Sequence, residues 1–316
     1  MRRYMGQRWL VYVWASLFVL LTSLGGTVWA QRLDDTPRLA IVSAFAPELA
    51  TLLGQTDVDA THVLHGRSYT LGVLAGNDVV LFLSGISMVN ATMTMQQALD
   101  AFNITGIVFS GIAGGVNPNL SVGDVTVPAR WGQYQEQFFA RAEISGWDYG
   151  WHDDPFGHYG MMVPQNVEVT SARGEPDAVE GRFWFPVDGA MLEVAREAAS
   201  EVTLTRCVPG SSDDVCLAHE PKVVVGGNGV SGSTFVDNAL YRGWVWNTFQ
   251  AQALDMETAA VAHVAYVSEV PYLAFRSLSD LAGGGPGQNE VNTFFELASS
   301  NSAALVLEFL TLWSEQ

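Results

Sequence analysis

The feature that most constrains this chain is an alternation of short, fully apolar, β-branched runs with segments whose apolar residues recur at helical spacing. Residues 38–43, 62–65, 69–74, 79–83, 106–109, 124–128, 222–225 and 272–275 read as strands. Residues 48–53, 88–102, 257–267 and 294–313 read as helices. A strand without a polar face must be covered on both sides, and strands separated by helices run mostly parallel. The pattern predicts an α/β fold, a three-layer αβα sandwich with a twisted, mixed central sheet.

Two regions depart from the alternation. At the start, Arg2, Arg3 and Arg8 precede an almost wholly apolar run, residues 9–24, and Val28 and Ala30 flank Trp29 ahead of Gln31. That arrangement is expected of a secretory signal, residues 1–30, cleaved after Ala30. The apolar run is shorter than the roughly 20 residues that a spanning helix needs. Export to the periplasm or the medium is expected, leaving residues 31–316 as one domain free of the membrane. Between about 131 and 221 the chain turns rich in aromatics, Gly and Pro without a regular period. This stretch reads as an insert elaborating the sheet, and some of its aromatics are candidates to roof a pocket.

Cys207 and Cys216 bracket a polar Gly/Ser/Asp stretch. In an oxidising compartment so close a pair is expected to form a disulfide closing a surface loop. Two thiols are too few for a structural zinc site. The net charge is −18, and about −21 without the basic leader; Lys222 is the single lysine. Such a surface repels nucleic acid and anionic membranes, which argues against both as partners.

Gly227-Asn228-Gly229-Val230-Ser231-Gly232 follows a strand and matches GxGxxG, with Asp255 at a spacing suited to a ribose-binding acid. Against a dinucleotide site, Phe235-Val236-Asp237-Asn238 comes where that fold wants a packed helix. No P-loop is present, since Lys222 precedes the glycines. His152-Asp153-Asp154 reads as a polar turn and His263 as a core histidine. More telling are three carboxylates close behind strand ends, Glu48, Glu257 and Asp280, because ligands of open α/β sheets bind at strand ends.

Taken in order, Ser43-Ala44-Phe45-Ala46-Pro47-Glu48, Ser84-Gly85-Ile86, Ser110-Gly111-Ile112-Ala113-Gly114-Gly115, Gly123-Asp124-Val125, Asp255-Met256-Glu257-Thr258-Ala259-Ala260 and Arg276-Ser277-Leu278-Ser279-Asp280 resemble the nucleoside phosphorylase and methylthioadenosine/S-adenosylhomocysteine nucleosidase superfamily. The likeness covers residues 38–123 and 222–313. The middle, through Phe156-Gly157-His158-Tyr159-Gly160-Met161 and Pro164-Gln165-Asn166-Val167-Glu168, is more similar to plant bark storage proteins of the same superfamily.

The resemblance implies cleavage of a purine nucleoside without cofactor or metal. Asp280 would protonate the purine, with Ser279 orienting it; Glu48 would activate water; Glu257 would accept from the ribose hydroxyls, with Met256 against the sugar. Phe235 would stack on the base and the Val236 backbone would read its edge, while Ile112, Ala113 and Gly114 would line the site. Asp at position 280 favours 6-amino over 6-oxo purines. Phosphorylase relatives carry an Arg where this chain has Phe109, and Ile112 replaces a small polar residue; both departures favour water over phosphate as nucleophile. Arg67, Arg130 and Arg276 keep a phosphorylase as the alternative, and a nucleoside-binding or storage-like protein without turnover is the reading from another class. A homodimer or larger assembly is implied by the family alone.

Overall fold

The computed structural model describes residues 32–150, 154–170, 174–208, 215–285 and 287–316. The expected export segment, together with His152 and Asp153, lies outside them. Arg32–Gln316 forms one compact unit. It opens with β1 (Asp34–Ser43), α1 (Ala46–Gly54), β2 (Asp57–Leu64), β3 (Arg67–Leu74), β4 (Asn77–Leu83), α2 (Met88–Ala101) and the long β5 (Phe102–Gly115). The middle supplies β6 (Val125–Val127), β7 (Arg130–Gln133), β8 (Gln137–Phe139), β9 (Arg141–Glu143), β10 (Gly146–Asp148), β11 (Met162–Pro164), β12 (Val167–Thr170), β13 (Val179–Arg182), β14 (Trp184–Pro186) and α3 (Gly189–Glu201). The chain closes with β15 (Val223–Val225), β16 (Asn228–Ser231), α4 (Ala239–Phe249), β17 (Ala251–Asp255), α5 (Thr258–Ser268), β18 (Tyr272–Asp280) and α6 (Val291–Trp313).

Twelve strands make one mixed sheet in the order β14-β7-β16-β17-β5-β1-β4-β3-β2, with β18 beside β5 and β6, and β15 beside β6. The apolar runs explain its layers. Side chains alternate between faces along a strand. Ala40, Val42, Val80, Phe82, Ile107 and Phe109 therefore pack with Ala91 and Met95 of α2 and Ala259 and Ala262 of α5. Their neighbours Leu39, Ile41, Val79, Leu81, Val108 and Phe275 pack on the other face with Leu52 of α1, Ala195 of α3 and Phe309 of α6. Each fully buried Leu, Val or Phe contributes about 1.5–3 kcal/mol, so a strand apolar on both faces is doubly anchored. The predicted αβα sandwich is the observed one.

Several sequence expectations need correction. The strand expected at 106–109 runs from Phe102 to Gly115, because its glycine-rich end keeps pairing with β18 and then β17. The GxGxxG hexapeptide is no phosphate-binding turn: residues 228–231 are β16, paired with both β7 and β17. Gly229 is there for contact, since a Cβ at that position would sit 2.6 Å from the Trp131 ring. Within the region expected to be irregular, β7 and β14 join the main sheet and α3 is a regular helix capped by the Asp188 side chain. None of its described aromatics lines the cavity at the strand ends. Phe156, Tyr159 and Phe183 cluster with Tyr241, Trp244 and Phe249. Cys207 and Cys216 are joined in a disulfide. Among the described residues no helix is long and apolar enough to cross a membrane.

Candidate active site

β1, β17 and β18 end at Ser43, Asp255 and Asp280, and just beyond or at these ends stand Glu48, Glu257 and Asp280. They surround a cavity of about 210 Å³ whose walls include Ile112, Ala113, Gly114, Phe235, Val236, Met256, Glu257, Ser279 and Asp280. Nine of the ten residues named from the sequence thus meet around one space. The tenth, Glu48, lies one layer behind. Sequence reasoning gave no role to Thr234 and Leu254, which also line the cavity, as does Asp255, weighed above only as the ribose-binding acid of a dinucleotide site. No aromatic residue of the middle region does so among the described residues.

Glu48 is fixed by its own helix. Ala46 and Pro47 form the first two positions of α1 and put Glu48 at the third, where its carboxylate reaches back to the backbone N–H groups of Ala44 (2.7 Å) and Phe45 (3.3 Å). The other oxygen accepts from Ile112 N–H at 2.8 Å. Burial nevertheless raises its pKa, against the pull of the Arg276 guanidinium and these three donors. A carboxylate so placed gains proton affinity, as a base for water requires.

Glu257 precedes α5 and accepts from Ser87 N–H at 2.7 Å. Ser87 makes that bond from φ 81°, a backbone region normally left to glycine, so strain is held at the site by the surrounding packing. Burial, with Asp255 beside it, pushes the Glu257 pKa up to about 7. The central cation is Arg276, fully buried and lying 4.2 Å over the Phe109 ring. It pairs with Asp255 at 2.8 Å and stands 3.8 Å from Glu48 and 3.9 Å from Glu257. Ser231 and Thr258 donate their hydroxyls to Asp255, and the guanidinium donates to Thr258 Oγ1. One guanidinium facing three carboxylates leaves the site net negative when all are ionised.

Gly111 permits this crowding. A Cβ there would lie 2.0 Å from Arg276 Nη1 and 2.5 Å from Glu48 Oε1. Gly111→Ala should cost about 1–3 kcal/mol or more by overpacking and displace both groups. Chemical denaturation and an activity assay on the same sample check this, and an unchanged pair of values would contradict the geometry.

Asp280 owes its aim to a bulge. β18 pairs Leu278 with Ala113 and Asp280 with Gly114, so Ser279 is an extra residue in the register. The bulge lets two consecutive side chains face one cavity, which a regular strand forbids. Ser279 Oγ donates to Asp280 Oδ2 at 3.0 Å, and Ala282 N–H to Oδ1 at 2.8 Å. Burial outweighs these donors and raises the pKa of Asp280. A buried carboxyl with raised proton affinity at the rim of an apolar cavity can act as a general acid.

The arginines weighed from the sequence stand elsewhere or are engaged. Arg130 donates to Asn228 and stacks on Trp184, while Arg67 donates to the Leu83 carbonyl and Asn90. No Arg, Lys or His lines the cavity among the described residues. His263 packs on Phe185 and meets Gln133 at 3.0 Å, and Asp154 pairs with His158 in a turn.

The sequence profile of the phosphorylase superfamily matches residues 38–311. The chain belongs to the phosphorylase superfamily. Among its superfamily relatives, bark storage protein B of Populus deltoides is 26% identical over 261 residues, covering 80% of each chain. The 5′-methylthioadenosine/S-adenosylhomocysteine nucleosidase of Bacillus licheniformis is 27% identical over 274 residues, covering 86% of this chain and 98% of the relative. Of solved structures, the Neisseria meningitidis 5′-methylthioadenosine/S-adenosylhomocysteine nucleosidase in complex with methylthio-immucillin-A shares the fold. It has a TM-score of 0.63 at 24% identity, covering 87% of this chain and 98% of that one. Futalosine hydrolase of Helicobacter pylori shares it too, with a TM-score of 0.62 at 22% identity and coverages of 86% and 97%. The superfamily profile spans every residue lining the cavity, from Ala44 to Val291.

Proposed function

We propose that this superfamily member is a purine nucleosidase, hydrolysing the N-glycosidic bond of 6-aminopurine nucleosides of the adenosine, methylthioadenosine or S-adenosylhomocysteine type. The observation that carries the reading is the cavity's charge: carboxyl groups at and behind its wall, and no cation on it among the described residues. Such a wall favours a developing positive charge on the sugar and repels phosphate. The buried guanidinium of Arg276 is already held by Asp255, Glu48 and Glu257.

In this reading Phe235 stacks on the purine and the Val236 backbone reads its edge, and Asp280 donates its proton to N7 as the C1′–N9 electron pair leaves with the base. Water adds to C1′ and gives a proton to Glu48, so nucleoside and water become free base and free sugar. Glu257 holds the 2′ and 3′ hydroxyls, with Met256 against the sugar. The likeness to the Bacillus nucleosidase supports the substrate class. Export is part of the proposal, resting on the leader-like residues 1–30 and supported by the Cys207–Cys216 bridge. So is an assembly of at least two copies, since Ile86 and Phe235 at the mouth of the cavity are 52% and 56% exposed.

The decisive experiment incubates the protein with adenosine or methylthioadenosine, with and without phosphate, and identifies the sugar. Free sugar formed without phosphate supports the nucleosidase; a sugar 1-phosphate formed only with phosphate means a phosphorylase. The bark storage likeness favours a second reading, nucleoside binding without turnover. Bound but uncleaved nucleoside would establish it.

Glu257 sets a pH dependence. With a pKa of about 7, it gains the charge that stabilises the sugar cation as pH rises through that value. kcat/KM should climb through this range, and Glu257→Gln should remove the limb along with most of the rate. A profile flat from pH 6 to pH 8 in the wild type would contradict the assignment.

A further inference from the structure

The loop between β18 and α6 places one more polar side chain at the acid. Asn289 Nδ2 lies 3.3 Å from Asp280 Oδ1 and 3.1 Å from Asp237 Oδ1. Its own carbonyl oxygen accepts from Val291 N–H at 2.9 Å. That last bond fixes the amide orientation, because only an oxygen can accept there, so the NH2 group must face the two carboxylates. One side chain thus joins three parts of the cavity: the acid, the segment after Phe235, and Val291 at the start of α6.

The same contacts differentiate the two oxygens of Asp280. Oδ1 receives two N–H donors, Ala282 N–H and Asn289 Nδ2, neither of which can turn to accept. Oδ2 receives the Ser279 hydroxyl, which can reverse and accept instead. A proton on Asp280 is therefore directed to Oδ2. We propose that Asn289 is a positioning residue for the glycosidic cleavage, holding Oδ1 of Asp280 so that the transferable proton resides on Oδ2. This inference rests on the nucleosidase reading for its catalytic consequence, but the hydrogen-bond assignment stands apart from turnover.

The charged groups around the acid come from four elements: Asp237 before α4, Glu290 before α6, Glu257 at the start of α5, and Arg242 of α4. Arg242 is held by the Gly115 carbonyl at 2.8 Å. None of these changes identity in the variants that test the proposal. Asn289→Asp keeps an acceptor for Val291 N–H, and so the anchor of α6, but removes the donor and adds a negative charge. Asn289→Ala removes both donor and acceptor.

The test titrates Asp280 by ¹³C NMR of Asp-labelled protein, assigning the carboxyl resonance with Asp280→Asn, and records kcat/KM against pH with adenosine. A donor to the ionised form lowers a carboxyl pKa, so its loss raises it, by about 0.5–1 pH unit for a bond this long. The expected result is a higher Asp280 midpoint in Asn289→Ala and a still higher one in Asn289→Asp, with the alkaline limb of kcat/KM moving the same way. A midpoint in Asn289→Ala equal to the wild type would overturn the proposal and leave Asn289 as a helix anchor, since the added charge of Asn289→Asp raises the midpoint by repulsion alone. If the wild type cleaves no nucleoside, the nucleosidase reading fails, and the NMR midpoints still decide the hydrogen-bond assignment.

Discussion

Replacing Asp280 by Asn is expected to slow glycosidic cleavage by about 10²–10⁴-fold, the span that a positioned acid contributes, while purine still binds. The substitution is nearly isosteric: its amide oxygen still accepts from Ala282 N–H, and its NH2 donates to the Ser279 hydroxyl, which turns to accept, so the rim should survive. What it removes is the proton that the leaving purine needs. Steady-state kinetics with adenosine, paired with calorimetric binding of adenine, separates the two effects. Loss of binding together with rate would show Asp280 acting mainly on the ground state. A variant as fast as the wild type would place the acid elsewhere.

The second large effect concerns Arg276. Arg276→Met keeps the bulk of the side chain and its contact with the Phe109 ring but deletes the charge. Breaking a buried ion pair by removing one partner costs about 3–5 kcal/mol, because the remaining charge is left uncompensated. Three carboxylates share the loss here. Glu48 and Glu257 already have raised pKa values, and without the guanidinium they rise further, so the folded state holds protons that the unfolded chain releases above its ordinary carboxyl pKa. The deficit should therefore be largest at neutral pH and shrink as pH falls toward 5. Urea denaturation of wild type and variant at pH 7 and pH 5 measures it. An equal deficit at both values would assign the loss to packing.

How much of this was legible in the sequence depends on which interactions fix each part. The sheet's centre was readable because β1, β4, β5 and β18 are buried on both faces, and a two-sided apolar run has few alternatives. Residues 228–231 were not, being four residues long with a glycine that serves only the Trp131 ring. α4 was hidden because its Trp and Tyr residues pack into an aromatic cluster and leave no clean stripe. At the site, chain order brought the wall residues together correctly. Their depth was invisible: Glu48 retreats behind the wall because it also caps its own helix. Arg276 read as a candidate anion binder, since nothing local shows that segments 48, 255 and 257 converge on it. The bulge at Ser279 and the hydrogen bond from Asn289 depend on pairing and loop closure, which no residue pattern announces.

β5 has a further consequence for how such a site can diversify. Ile112 of that strand holds Glu48, the group proposed to face the water, and Gly114 pairs with Asp280, the group proposed to face the base. Two residues of strand separate these attachments, about 7 Å at the usual rise. The span between the two ends of the reaction is thus counted in whole residues of one backbone. It cannot drift by fractions, and a one-residue insertion would turn every following side chain to the opposite face. Divergence is left to the surrounding walls, where substitutions alter what is recognised while the interval across which a bond is broken stays constant.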